Sequence, residues 1–386
     1  MFSIASIRNT YGMIRRICFD SSASLGPQSI EIELTSRCNH RCFFCSSHSY
    51  LIPHSTQNKY FSSETLEQLA TSLSCFKTKS ILFAGSGEPF LSDALLDFVQ
   101  SHGRSFDIRI LTNGSCLDKV DRQLFSRIRR LAVSCNSMSE ERHKEIHGYS
   151  GCSQLRSILG NIIRLKEYQA KEIKLQMNVV LCRKNFNELS EFMSFSLQEN
   201  IPVLIRPLCA NFDAVKSDAL SSDEIARGLH YAKDAFEHVG PLSENYIFTL
   251  KYFAYFLRLY HRLKYGSAKG QAISCLSGFR NAYVDSSGNL RLCWHRTDPI
   301  GNINDTNFEK LWSSIEAKYL RRCAAMMSFG AMPVCSSCFG CAEPHMYSTH
   351  FLNRYIRKYP YLLSLYLQDN NVHSLKIENK EQTHKL

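Results

Sequence analysis

Six short apolar, β-branched runs alternate with stretches of helical periodicity between Ile30 and Ile205, and this alternation narrows the fold more than any other feature. The runs cover residues 30–35, 81–84, 108–111, 131–134, 173–181 and 201–205 and predict strands. Helical faces fall between them. Leu66, Leu69 and Leu73 mark the first, and Leu95, Leu96, Phe98 and Val99 the second, with Ser92 as its N-cap. Val120, Leu124 and Ile128 mark a third; Leu155, Ile158, Ile162 and Leu165 a fourth; residues 189–195 a fifth. Strand-helix repetition predicts a parallel sheet with right-handed crossovers. Six units fall short of the eight that close a barrel, so the expected fold is α/β, an open partial (β/α)6 barrel. In such sheets chemistry lies at the carboxyl ends of the strands.

The alternation stops near Arg206. Residues 222–238 and 243–264 read as helices, and past Gly270 the chain turns to short strands. Residues 281–285 and 290–293 flank a Ser286-Ser287-Gly288-Asn289 turn and predict a hairpin with Cys293 at its exit. The expected division is a leader at 1–27, the barrel core at 28–210, a helical connection at 211–269, a small C-terminal β-hairpin/helix domain at 270–345 and a polar tail at 346–386. The leader reads as an amphipathic helix rather than a secretory signal. The apolar stretch 246–260 is interrupted by Lys251 and Arg258 and is too short to span a bilayer. A hydrophobic fraction of 44% with 21% charged residues describes a globular chain, and the net charge of +11 is spread without a dense basic run.

Sixteen cysteines in 386 residues are too dilute for a small disulfide scaffold, and half fall into two groups. Grouped cysteines in a chain of enzyme size read as metal ligands in a reducing compartment, which places the protein in the cytoplasm. The first group, Cys38-Asn39-His40-Arg41-Cys42-Phe43-Phe44-Cys45, directly follows the first strand. A structural zinc site needs a fourth ligand, which His40 or His48 offers. A [4Fe–4S] cluster on three cysteines instead leaves one iron open to an outside ligand. Spacing alone leaves both readings standing.

CxxxCxΦC after the first strand of a partial barrel, with Phe44 as the aromatic Φ, resembles the signature of the radical S-adenosylmethionine superfamily. The resemblance continues at later strand ends. Gly85-Ser86-Gly87-Glu88-Pro89 is similar to that family's Gly-Gly-Glu-Pro loop, with Ser86 replacing the first of the paired glycines. Thr112-Asn113-Gly114 resembles its Thr-Asn-Gly segment. The resemblance implies that Cys38, Cys42 and Cys45 hold a [4Fe–4S] cluster whose open iron takes the amino and carboxyl groups of S-adenosylmethionine. It also implies that Ser86, Gly87 and Glu88 flank the methionine ammonium and Asn113 the same cofactor, and that Ser134 and Asn178 lie toward the ribose and carboxylate.

The second group, Cys275, Cys293, Cys335, Cys338 and Cys341, resembles the auxiliary-cluster domains called SPASM and twitch. Gly301-Asn302-Ile303 and Leu311-Trp312 between them are similar to that family's segments. A full SPASM domain with two clusters carries CxxCx5CxxxC and a further cysteine. Here the run is CxxCxxC, and no cysteine follows Cys341. The count therefore implies one auxiliary [4Fe–4S] cluster on Cys275, Cys293, Cys335 and either Cys338 or Cys341, while a zinc ribbon stays open as the alternative. The implied activity is reductive cleavage of S-adenosylmethionine and hydrogen abstraction from a peptide or small molecule. The electron would come from a donor such as flavodoxin or ferredoxin. Tyr283, Arg291 and His295 lie near the auxiliary cysteines and are candidates for substrate contact or ordinary packing. The alternatives are an RNA-modifying radical enzyme, motivated by the charge, and a zinc- or cluster-stabilised scaffold or redox sensor. No appended RNA-binding motif is present in the sequence, which counts against nucleic acid as a partner.

Overall fold

A computed structural model of the chain describes residues 26–53, 58–120, 122–149, 154–169, 173–210, 212–238, 243–265, 277–293 and 298–325. The six expected strands are β1 (Ser29–Ile32), β2 (Ser80–Phe83), β3 (Asp107–Thr112), β4 (Arg130–Ser134), β5 (Lys174–Leu181) and β6 (Val203–Pro207). They pair in parallel in the order β6-β5-β4-β3-β2-β1, an open arc rather than a closed ring. Alternation along each strand divides the sheet into two faces. Ile30, Ile32, Ile81, Phe83, Ile108, Ile110, Leu131, Val133, Leu175, Met177, Val179 and Leu181 are buried in one continuous core under the crossover helices. The other face carries half-buried polar residues such as Ser134, Gln176 and Asn178.

The crossovers are α1 (Ser63–Cys75), α2 (Asp93–His102), α3 (Arg122–Phe125), α4 (Glu140–His147), α5 (Gln154–Gln169) and α6 (Leu189–Glu199). The Ser62 hydroxyl caps α1, accepting from the Thr65 N–H at 3.0 Å. Ser92 occupies the N-cap position of α2, but its side chain accepts no capping bond. The third crossover is shorter than the periodicity suggests. Of the expected face, Val120 and Ile128 are buried and Leu124 is half-buried, with Leu117 and Phe125 buried beside them, yet the backbone reaches them through a 3-10 turn at Leu117–Lys119 and the single turn of α3. Two longer helices, α7 (Ser222–His238) and α8 (Glu244–Tyr265), follow β6, and Leu250, Phe253 and Leu257 of α8 join the main core.

The C-terminal strands extend the sheet itself. After α9 (Ser277–Arg280), β7 (Asn281–Val284) pairs in parallel with β1, with Glu31 opposite Tyr283 and Ile32 opposite Val284. β8 (Asn289–Arg291) and β9 (Gly301–Asn302) then add antiparallel, giving nine strands among the described residues. The hairpin turns at Gly288, with φ of +85°. That left-handed backbone strains any residue with a Cβ, which would also push aside Asn304 Nδ2 at 2.4 Å and Asn302 Oδ1 at 2.7 Å, so the turn favours glycine. Arg321, 2% exposed, in α11 (Ile315–Ala325) lies over the Trp312 ring of α10 (Phe308–Trp312), 3.9 Å from its centroid. It also donates to the Trp312 and Gly278 carbonyls, tying the end of the described chain to the hairpin base. No helix of the described residues is long and apolar enough to cross a membrane.

Candidate active site

The loop after β1 carries Cys38, Cys42 and Cys45 at the carboxyl edge of the sheet. Phe43 anchors it. That ring is fully buried with Ile146, Cys182, Leu208 and Val215, which stabilises the loop by roughly 2–3 kcal/mol. The C-terminus of α4 fixes the backbone: Arg41 N–H donates to the His147 carbonyl at 2.8 Å and Phe43 N–H to the Ile146 carbonyl at 2.9 Å. Donors point at the sulfurs. The Ser47 and His48 N–H groups lie 3.4 and 3.3 Å from Cys45 Sγ. His147 Nδ1 lies 3.2 Å from Cys42 Sγ.

These thiols suit a strongly positive metal centre. Burial pushes Cys38 up to about 11; the His40 N–H opposes the shift, and the Glu88 carboxyl and Cys45 add to it. Burial, then Cys45 and Cys38, push Cys42 well above the ordinary thiol value. A cation bound between them, such as the iron of a cluster, would offset both the burial of Cys38 and Cys42 and the repulsion among the three thiols. None of the three forms a disulfide.

The glycine-rich loop after β2 presses against this segment. A Cβ on Gly87 would lie 2.2 Å from the Thr35 carbonyl oxygen and 2.5 Å from that of Arg37, so only glycine permits the approach. Glu88 N–H donates to the Arg37 carbonyl at 2.8 Å. The Glu88 carboxylate, 2% exposed, accepts from Thr112 Oγ1 at 2.6 Å, the Asn113 N–H at 2.7 Å and the Phe90 N–H at 3.2 Å. It therefore locks the second strand-end loop to the third. Burial raises Glu88, and the donors from Asn113, Thr112 and Phe90 oppose that rise. Asn113 Nδ2 donates to Asn39 Oδ1 at 2.8 Å, which joins the third loop to the cysteine loop.

Ser134 and Asn178 are register partners on β4 and β5, both half-buried on the face away from the helices. Asn178 Oδ1 accepts from Gln176 Nε2 at 3.0 Å. Cys38, Cys42, Cys45, Ser86, Gly87, Glu88, Asn113, Ser134 and Asn178 thus all fall at or beside the carboxyl edge. Cys293 is described and half-buried just beyond β8. Cys275, Cys335, Cys338, Cys341 and His295 lie outside the described residues. Arg291 pairs with Asp285 across the hairpin turn.

Sequence reasoning passed over three residues. Glu33, only 6% exposed, accepts from the Ser86 N–H at 3.0 Å and from Tyr283 Oη at 2.8 Å through one oxygen. Its other oxygen accepts from Ser286 Oγ at 2.6 Å. A carboxylate in an apolar strand was a visible signal for it. Asn136 and His147 approach the cysteine loop from beyond β4; the position of Asn136 just past a strand end was a local signal, whereas nothing in the local sequence marks His147.

Clustered thiols at the open end of a partial barrel are the chemistry of a metal- or cluster-binding protein. Comparison with known proteins narrows the class. The Radical SAM superfamily profile matches residues 32–195, and the SPASM profile, an iron–sulfur cluster-binding domain, matches residues 275–339. A GTP 3',8-cyclase of Limosilactobacillus fermentum is 27% identical over 230 residues, covering 56% of this chain and 67% of that protein. A probable GTP 3',8-cyclase of Archaeoglobus fulgidus is 25% identical over 169 residues, covering 44% of this chain and 54% of that one. The chain thus spans between half and two thirds of the length of these relatives. Among solved structures, Streptococcus suis SuiB bound to S-adenosylmethionine superposes with a TM-score of 0.56 at 12% identity, covering 83% of this chain and 74% of that one. Native anSMEcpe with bound AdoMet gives 0.56 at 15% identity, covering 88% and 99%. At such identities the likeness is one of fold. Residues 32–195 thus match a radical S-adenosylmethionine domain and residues 275–339 a SPASM iron–sulfur domain. The first domain implies a [4Fe–4S] cluster used with S-adenosylmethionine, and the second an auxiliary iron–sulfur cluster.

Proposed function

We propose that Cys38, Cys42 and Cys45 ligate the cluster that cleaves S-adenosylmethionine, and that the enzyme abstracts hydrogen from a peptide or small-molecule substrate. When bound, the cluster supplies one electron to the sulfonium, releasing methionine and a 5'-deoxyadenosyl radical that takes the hydrogen. Three cysteines on one loop, close enough for Cys45 to act on both Cys38 and Cys42, beside a glycine approach at Gly87, carry this reading. The chain's residues supply position and exclusion of water. Phe43 fixes the loop, and Glu88 fixes Thr112 and Asn113 against it. Ser86 and Gly87 present backbone near the methionine end, while Ser134 and Asn178 offer polar groups on the open face toward the ribose. Cys275, Cys293, Cys335 and one of Cys338 and Cys341 hold the auxiliary cluster. The enzyme works in the cytoplasm with a flavodoxin or ferredoxin as electron donor.

Anaerobic reconstitution with iron and sulfide tests this. The expected load is about eight irons per chain, with 5'-deoxyadenosine released on adding dithionite and S-adenosylmethionine. The Cys38→Ala/Cys42→Ala/Cys45→Ala variant should keep about half the iron and release none. Zinc in place of iron, or cleavage by the triple variant, overturns the assignment.

A further inference from the structure

The hydrogen-bond network around His147 fixes where its proton lies. Asn136 Oδ1 accepts from the Val180 N–H at 2.6 Å, and a backbone N–H can only donate, so the oxygen of that amide faces β5. Its Nδ2 therefore faces His147 Nε2, 3.4 Å away, and that nitrogen must accept. Asn136 is itself held by Asn185 Nδ2, which donates to its carbonyl at 2.8 Å. His147 is 1% exposed, and a ring whose Nε2 accepts has no proton at that nitrogen, so the ring is neutral. A neutral ring that accepts at Nε2 carries its proton on Nδ1. That N–H is directed at Cys42 Sγ, 3.2 Å away.

His40 completes the set. Its Nε2 donates to Gln154 Oε1 at 2.9 Å, which leaves Nδ1 bare at 3.3 Å from His147 Nδ1. The His147 proton is thus shared between one sulfur and one bare nitrogen. His40, Cys42 and His147 also lie close enough to grip a metal ion directly. Metal ligation through His147 Nδ1 would move the ring proton to Nε2 and set it against the Asn136 amide, donor facing donor. The network therefore favours donation to sulfur over ligation.

We infer that His147 is a positioning residue that donates a neutral N–H to the Cys42 thiolate of the cleaving cluster and raises the cluster's reduction potential, Asn136 fixing the tautomer. This rests on the ligation proposed above. A donor to a cluster sulfur stabilises the more negative, reduced form more than the oxidised form. Removing it disfavours reduction, so the electron for S-adenosylmethionine becomes harder to load.

The test is an EPR-monitored redox titration of the reconstituted full-length enzyme, following the signal that changes when S-adenosylmethionine is added. His147→Met removes the donor while keeping an apolar side chain of similar length. It should lower the reduced fraction about tenfold at a given potential, about 59 mV more negative for a one-electron couple. His147→Gln retains an N–H donor and should return most of that shift. Equal potentials for wild type, His147→Met and His147→Gln overturn the inference while leaving the cluster assignment intact. A wild type without a signal responsive to S-adenosylmethionine overturns the assignment instead. If His147→Met does not take up iron, pulsed EPR on wild type with 15N-histidine decides. A histidine nitrogen coupled to the reduced cluster, and lost in His147→Gln, supports the inference, and its absence overturns it.

Discussion

Tyr283 donates its phenolic O–H to Glu33 Oε2 at 2.8 Å, joining residues 250 positions apart. Burial, and then Glu33, push the Tyr283 phenol far above its ordinary value, so it stays a donor. The same carboxylate oxygen receives the Ser86 N–H. One buried side chain thus ties the first hairpin strand of the SPASM region to the glycine-rich loop. Glu33→Gln replaces one acceptor with a donor and leaves a buried donor unmatched, at about 1–3 kcal/mol. The expected result is roughly tenfold weaker binding of S-adenosylmethionine by isothermal titration, with unchanged iron content. Unchanged affinity would show that the loop holds its shape without Glu33.

Gly87→Ala would drive a methyl into the Thr35 and Arg37 carbonyls, and backbone cannot yield as a flexible side chain can. The displaced strand end carries Cys38. We expect about four irons per chain rather than eight, and no 5'-deoxyadenosine. Ser86→Gly, by contrast, restores the family's paired glycines without touching the Ser86 N–H, and should keep cleavage within about threefold at a cost below ~1 kcal/mol. Iron analysis and product chromatography check both.

Glu88 accepts three hydrogen bonds while nearly inaccessible, so its removal strands the Thr112 hydroxyl and two backbone N–H groups. Glu88→Ala should lower the unfolding free energy of the cluster-free protein by about 2–4 kcal/mol, measured by urea titration. A loss below ~0.5 kcal/mol would mean that water replaces the carboxylate at no cost.

Asp285 gives the hairpin a pH dependence. Burial alone would raise it, but the hydrogen bonds from Arg291 and Asn289 and the Arg291 charge outweigh that and hold it below the usual carboxylate range. A carboxyl lower in the folded chain than in the unfolded one stabilises at pH above its unfolded value of about 4, and that stability is lost as pH falls through the folded value. Wild type should therefore exceed Asp285→Asn in Tm at pH 7, and the gap should narrow below pH ~4. His143, which burial and then His40 lower to about 4, also costs stability as pH falls from its unfolded value of about 6.5 to about 4, because the unfolded chain takes up that proton first. That contribution is common to both proteins and cancels in the difference. A gap constant down to pH 3 would contradict the Asp285 account.

Much of this protein was readable from its residues alone. Strand alternation, the glycine and Thr-Asn-Gly turns and the CxxxCxΦC loop are local patterns, set by a period of two, by φ preferences and by thiol spacing, and the six parallel strands follow from them. The C-terminal cysteine group announced a second iron–sulfur domain in the same way. The tertiary structure alone decided that β7 joins the edge of β1, because parallel pairing across some 250 residues leaves no local trace. It alone turned Glu33 into a bridge, and it alone brought the ring of His147 to a sulfur 105 residues away. A buried hydrogen bond depends on which two atoms end up within about 3 Å, and sequence distance carries no information about that once the chain has folded back on itself.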